Sequence, residues 1–250
     1  GYGRQRLAPG SDIDLLFITP PNADKACLEV VEFILYMLWD MGLKVGHATR
    51  DVEDCIFQAK EDMTIRTAMF ESRFLAGDEV LFTKFRKKFA GKILSGSARN
   101  FVKAKLDERD LRHKRSGESR YLVEPNVKEG KGGLRDLHTL YWISKYIYKT
   151  DNIQSLIKKK IFKKSELEIF TEAENFLWFI RCKIHQISGY ANEKLTFNIQ
   201  ADLAKSLNIK DDNSRRGVEI FMQKYFLQAK NVGDLTRIFL TARSEEHTSE

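Results

Sequence analysis

The chain has 250 residues, 42% of them hydrophobic and 31% charged, with a formal net charge of +7 and a pI near 9.2. That length and apolar content suffice for one or two buried cores, which excludes large-scale disorder. The apolar runs fall far short of the roughly 20 residues that cross a bilayer, and no basic-then-apolar leader precedes the first motif, so a soluble, cytoplasmic protein without a membrane partner is expected. Cys27, Cys55 and Cys182 are far apart and lack Cys-x-x-Cys spacing, which argues for buried reduced thiols over a disulfide framework or a zinc site. The basic residues are dispersed through runs such as Lys84, Arg86, Lys87, Lys88 and Lys158 to Lys160. Such runs read as solvated faces, so nucleic acid is not expected as a partner; attraction of a polyanionic nucleotide or an acidic protein explains the sign equally well.

The chain opens inside a motif, GYGRQRLAPGSDIDLLFIT, and without Met, so a piece with a missing N-terminal flank is expected. A Gly-Tyr-Gly-Arg turn and a polar loop lead to Ser11, Asp12, Ile13 and Asp14, then to the apolar run Leu15 to Ile18, which reads as a buried β-strand. Alternation puts Asp12 and Asp14 on one side of the strand entrance while Ile13 points into the core. Two carboxylates aimed at one point repel unless a cation lies between them, and a hard divalent ion such as Mg²⁺ prefers oxygen ligands and completes its shell with water and phosphate. The glycines let backbone N–H groups approach a phosphate, and Ser11 adds a hydroxyl. Solvated turn aspartates are the plainer alternative. Neither the P-loop pattern nor a full dinucleotide fingerprint occurs.

Pro20 and Pro21 break the strand, Asn22 or Asp24 can cap a helix running to Met41, and Cys27, Val30, Val31, Ile34, Leu35 and Leu38 form its apolar spacing before Gly42 stops it. Leu43 to His47 reads as a second strand. A helix follows from Asp51 to about Asp62, with Val52, Cys55, Ile56 and Ala59 inward. Met69 to Leu75 can be read with period two, placing Glu71 and Arg73 on one face and Phe70 and Phe74 on the other; read as a helix instead, it makes Glu71 a surface charge and Asp62 its rival. Glu79 to Ile93 is an amphipathic helix, and Ser95-Gly96-Ser97 is the candidate linker. A charged helix from about Arg99 to Arg115 and a turn at Ser116-Gly117-Glu118 come next.

Tyr121 to Trp142 reads YLVEPNVKEGKGGLRDLHTLYW. Gly130, Gly132 and Gly133 make a turn into a helix with Leu134, Leu137, Leu140 and Tyr141 as its apolar stripe, and Lys128, Lys131 and Arg135 lie around it. A glycine-rich loop at a helix start can hold an anion through free N–H groups and the helix dipole; a plain connecting loop is the alternative. His138 and His185 read as packed or surface residues. The remainder, 153–161, 166–187 and 218–241, has helical spacing, with the aromatics Phe170, Phe176, Trp178 and Phe179 suited to a bundle core. Leu195 to Phe197 reads as extended, with Asn198 as a cap. From Arg243 the periodicity stops, and 243–250 is expected to be a non-native tail.

The motif GYGR…GSDIDLLF is similar to the signature of the DNA-polymerase-β-type nucleotidyltransferases, and with the 121–142 stretch it resembles the bacterial PII uridylyltransferase/uridylyl-removing enzyme family. The resemblance implies an α/β (α+β) nucleotidyltransferase domain with a small mixed sheet over 1–95 and an all-α helical-bundle domain over 96–242 that completes the nucleotide site. It implies a third carboxylate on a neighbouring strand, which Glu71 would supply beside Asp12 and Asp14, so that Mg²⁺ binds the triphosphate of UTP. The phosphates would rest on Gly1, Gly3 and Ser11 with Arg4 as a charge partner, and the second loop would contribute Lys128, Gly132, Gly133 and Asp136. The implied reaction transfers UMP to a tyrosine of the PII signal-transduction protein. Uridylyl removal and glutamine sensing would belong to domains beyond this chain. An adenylyltransferase, an RNA-end enzyme and a noncatalytic nucleic-acid-binding helical protein are the alternatives.

Overall fold

The computed structural model describes residues 2–96, 98–117, 119–149, 155–158 and 161–248, with side chains through 239 except that of Ser155. Gly1, Ser97, Glu118, residues 153, 154, 159 and 160 of the helix expected over 153–161, and the side chains of the expected tail lie outside the described residues. The chain divides into two units, Gly1–Leu7 with Ser11–Phe101, and Ala8–Gly10 with Val102–Glu250.

In the first unit a 3₁₀ turn, Tyr2–Arg4, precedes β1 (Ile13–Ile18), α1 (Lys25–Asp40), β2 (Val45–Arg50), α2 (Val52–Glu61), α3 (Met63–Phe70) and α4 (Glu79–Phe89), which runs on as a π-helical turn, Ala90–Leu94. The strands pair in parallel from Ile13↔Val45 to Ile18↔Arg50, the strand–helix–strand order expected. Helix starts follow the aspartates: Asp24, Asp51, Asp62 and Asp78 each accept N–H groups of the first turn of α1 to α4 in order, satisfying donors that a helix leaves orphaned. Gly42, at φ +77°, ends the first of these helices.

The mixed sheet needs correction. Among the described residues the sheet has two strands, both parallel, and the strand expected around Glu71 is absent. Asp62 accepts the N–H groups of Thr64 and Ile65 at 2.6 and 2.9 Å and starts a helix that ends only at Phe70. Glu71 is its C-cap, with its N–H shared among the Thr67, Ala68 and Met69 carbonyls. The alternating run therefore begins inside a helix, and only the part after Glu71 is irregular. The face of α1 is also narrower than its spacing suggests: Val31 and Leu35 are buried, whereas Val30 is 57% exposed. Val52, Cys55, Ile56, Ala59, Met69, Phe70, Phe85 and Phe89 complete the core. The cysteines are free thiols, and burial pushes Cys55 up to about 12, leaving it without thiolate chemistry near neutrality.

Helix α5 (Ala98–Arg115) carries the chain into the second unit, which is built from α6 (Leu134–Tyr148), the short α7 (Ser155–Lys158), α8 (Lys164–Ser188), α9 (Phe197–Ser206) and α10 (Gly217–Thr248). Leu134, Leu137, Leu140 and Ile143 of α6, Phe170, Leu177 and Ile184 of α8, Leu203 of α9, and Phe221, Tyr225 and Val232 of α10 form one apolar cluster. This is the helical bundle that the three-to-four-residue spacing predicts, although Phe179 is turned outward at 46% exposure. Thr196, not Asn198, stands at the start of α9, because Leu195 donates to the Pro125 carbonyl and pins the preceding residues to the 121–133 loop. Among the described residues no helix is long and apolar enough to cross a membrane.

Candidate active site

Asp12 immediately precedes β1 and Asp14 is its second residue, the two-residue spacing that in extended chain is expected to put side chains on one side. Between them the Ile13 N–H donates to the Lys44 carbonyl at 2.8 Å, fixing the head of the strand. Both aspartates are exposed, and among the described residues neither carboxylate takes a hydrogen bond or ion pair. Exposed, uncommitted carboxylates two residues apart supply hard oxygen donors of the kind Mg²⁺ uses when phosphates and water complete its shell. The donor set thus fits such an ion through two carboxylates.

The third carboxylate does not join them. Among the described residues no three His, Cys, Asp or Glu side chains come close enough to hold a metal ion. Glu71 instead lies 2.9 Å from Arg4 Nε, and Asp62, its rival, is spent on the α3 cap. Arg4 is accordingly held by a protein carboxylate and is not an idle phosphate partner. Gly3 has a reason of its own: a Cβ there would lie 2.1 Å from the Glu71 carbonyl oxygen, so only glycine lets the turn approach that backbone. Arg73 lies over the Tyr2 ring at 5.0 Å on the same turn. Ser11 is half-buried directly before Asp12.

The second glycine loop, in the helical unit, is closed on itself. Asn126 Oδ1 accepts the Lys128 and Glu129 N–H groups at 2.9 and 2.7 Å. The first N–H groups of α6 are also taken: Leu134 donates to Val127 O, Arg135 to Lys128 O and Asp136 to Gly133 O. These N–H groups, expected to be free for an anion, are therefore engaged within the chain, those of Lys128 and Glu129 by a side-chain oxygen and those of Leu134, Arg135 and Asp136 by backbone carbonyls. Gly132 sits at φ +81° with the Ala229 carbonyl 2.4 Å from where a Cβ would stand, and a Cβ on Gly133 would meet Val127 O at 2.8 Å. The place of an external anion is filled by Asp136 itself. Its buried carboxylate accepts from Arg112 at 2.5 Å, from His113 Nε2 at 2.9 Å and from the Gly132 N–H at 2.8 Å. Burial pushes this carboxyl up, but the His113 and Arg112 contacts and the Gly132 N–H outweigh it and hold it below the ordinary aspartate value. Lys128 points its ammonium toward Glu193, 3.7 Å away.

Residue spacing alone misses several partners. Arg112 and His113 read as one more charged stretch of α5. Glu193, gripped by Arg181 at 2.7 and 2.8 Å, carries no local signal. His185, fully buried, accepts the Gly10 N–H on Nδ1 at 3.0 Å, which leaves its proton on Nε2, 3.6 Å from Glu193 Oε1. Gly46, opposite Asp14 in the strand register, does have a signal, since a glycine inside a strand pattern marks a close approach.

A small parallel sheet with an Asp-x-Asp pair at the head of its first strand, followed in sequence by a helical unit, is compatible with an α+β nucleotidyltransferase. The family described as GlnD PII-uridylyltransferase matches residues 100–240, and the chain belongs to that family. It is similar to the bifunctional uridylyltransferase/uridylyl-removing enzyme of Azospirillum brasilense, 50% identical over 246 residues, which is 98% of this chain and 26% of that relative. The chain thus spans about a quarter of the length of the curated relative it matches.

Proposed function

We propose that this chain carries the transferring part of a PII uridylyltransferase, moving UMP from UTP to a tyrosine of a PII protein and releasing pyrophosphate. Family membership supports the reaction class, and the single local observation that carries the site is the exposed, uncommitted pair Asp12 and Asp14. These two residues would hold Mg²⁺, which when bound neutralises phosphate charge and lowers the pKa of an attacking hydroxyl. The chain's own contribution is positional. The Ile13–Lys44 bond and the parallel pairing with β2 fix the strand that presents both acids, and the Arg4–Glu71 pair sets the turn that precedes them in sequence. Glu71 is read here as the keeper of that turn. A cytoplasmic location goes with this reading; removal of the uridylyl group is not assigned to these residues.

The test is transfer of label from α-³²P-UTP, with α-³²P-ATP as the competitor, to purified PII in Mg²⁺ buffer. The expected result is label from UTP on PII, lost by at least about a hundredfold in the Asp12→Asn, Asp14→Asn double variant while its thermal unfolding is unchanged. Transfer that survives the double variant, or that prefers ATP, would sink the reading.

A further inference from the structure

Gly46 lies within β2, directly across from Asp14 in the parallel register. Paired residues of neighbouring strands present their side chains to the same face, so a side chain at 46 would stand on the Asp14 face, with Leu16 and Ala48 further along. A glycine inside a strand costs stability and needs a reason: a special backbone conformation, a bulge, a close backbone, or a close ligand. Gly46 is not among the residues with positive φ. The register runs unbroken from Ile13↔Val45 to Ile18↔Arg50, so there is no bulge. No backbone approaches either: within 4 Å of a Cβ built there, among the described residues, the one atom met is Asp14 Oδ1, at 3.0 Å. Gly46 is itself exposed. Three of the four ordinary reasons are therefore absent, and the space that the missing side chain leaves is bordered by the carboxylate proposed to bind the cation.

We infer that Gly46 keeps open the space beside Asp14 for the water or phosphate oxygens that complete a divalent cation's shell, so that any side chain there competes with the bound nucleotide and not with the fold. The inference rests on the reading of Asp12 and Asp14 as cation ligands. It makes Gly46 a positioning residue with an unusual signature. A larger residue should improve the strand, because branched side chains suit β-structure better than glycine, and yet weaken the site.

The experiment titrates Mn²⁺, a paramagnetic stand-in for Mg²⁺, with and without UTP into the 250-residue chain and its Gly46→Ala, Gly46→Val and Ala48→Val variants. Free ion is read by electron paramagnetic resonance and folding by thermal unfolding. Gly46→Val should weaken binding of the Mn²⁺–UTP complex by about tenfold, the scale on which disturbing the surroundings of metal ligands acts, with Gly46→Ala intermediate. Its Tm should equal or exceed that of the unsubstituted chain. Ala48→Val, two residues along on the same face, should leave binding unchanged. Unchanged binding in Gly46→Val, or binding and Tm falling together, overturns the inference. If instead the unsubstituted chain binds no Mn²⁺, or binds it equally well as the Asp12→Asn, Asp14→Asn variant, the cation reading itself fails and this inference falls with it.

Discussion

Arg4 Nε lies 2.9 Å from Glu71 Oε1, with the two side chains only 15% and 14% exposed. An ion pair so shielded is screened little by solvent, and it ties the opening turn to the residue that ends α3. In a double-mutant cycle with Arg4→Met and Glu71→Gln, each single change should cost about 1–2 kcal/mol in urea unfolding, and the double should cost less than their sum. Mn²⁺ binding should be unaffected by Glu71→Gln. A ligand role for Glu71 would give the reverse: weaker Mn²⁺ binding with stability intact.

Asp136 predicts a steep acid limb. Its folded pKa is held below the ordinary 3.8, so its stabilising contribution is present above that value and is lost as pH falls through the lower folded value. Asp136→Ala leaves Arg112 and His113 facing a gap in the protein interior and should cost about 3–5 kcal/mol at neutral pH. Unfolding free energy followed from pH 7 to pH 2 should fall more steeply for the unsubstituted chain than for Asp136→Asn.

His185 predicts a second, milder pH dependence at higher pH. Burial pushes its imidazole below the ordinary 6.5 and outweighs the opposing pull of Glu193, while Arg181 and Lys128 push the same way as burial. The unfolded chain therefore takes up a proton first as pH drops below 6.5, and stability declines from there until the lower folded pKa is reached. Protonation at Nδ1 would also evict the Gly10 N–H. His185→Asn keeps an acceptor for that N–H and cannot titrate, so its stability should be flat across the window where the unsubstituted chain slopes. Equal slopes in chemical denaturation between pH 7 and pH 5 would refute this account.

Gly132 tests the closed loop. At φ +81°, with the Ala229 carbonyl where a Cβ would stand, Gly132→Ala should lose at least about 1–3 kcal/mol through backbone strain alone, before the clash is counted. The control is Gly42→Ala: it has positive φ but nothing within 4 Å of the added Cβ, and it should lose less. Comparing the two melting curves separates conformation from contact.

Much of the fold was legible because its signals are local. Asp24, Asp51 and Asp78 declare helix starts through a side chain that reaches a backbone N–H two or three residues on, and Asp12-Ile-Asp14 before four apolar residues declares a strand head. What was illegible needed distance. Period two in Met69 to Leu75 is a weak cue over seven residues, and the Asp62 cap overrode it. Glu193 finds Arg181, and Asp136 finds Arg112 and His113, across 12, 24 and 23 residues, separations that no spacing rule spans.

The amino-acid order alone determined that Asp12 and Asp14 would stand at the head of a strand and that the second half would be helical, because alternation and three-to-four-residue periodicity follow from backbone geometry; the strand read as buried is only half-buried, with no residue of Ile13–Ile18 in the core. Only the tertiary structure decided which charges remain available. Glu71, Arg4 and Asp136 are consumed by partners brought near in folding, while Asp12 and Asp14 keep their carboxylates uncommitted. A charge in the interior must find a counterpart or forfeit its hydration, and the identity of that counterpart is set by packing and not by neighbours along the chain.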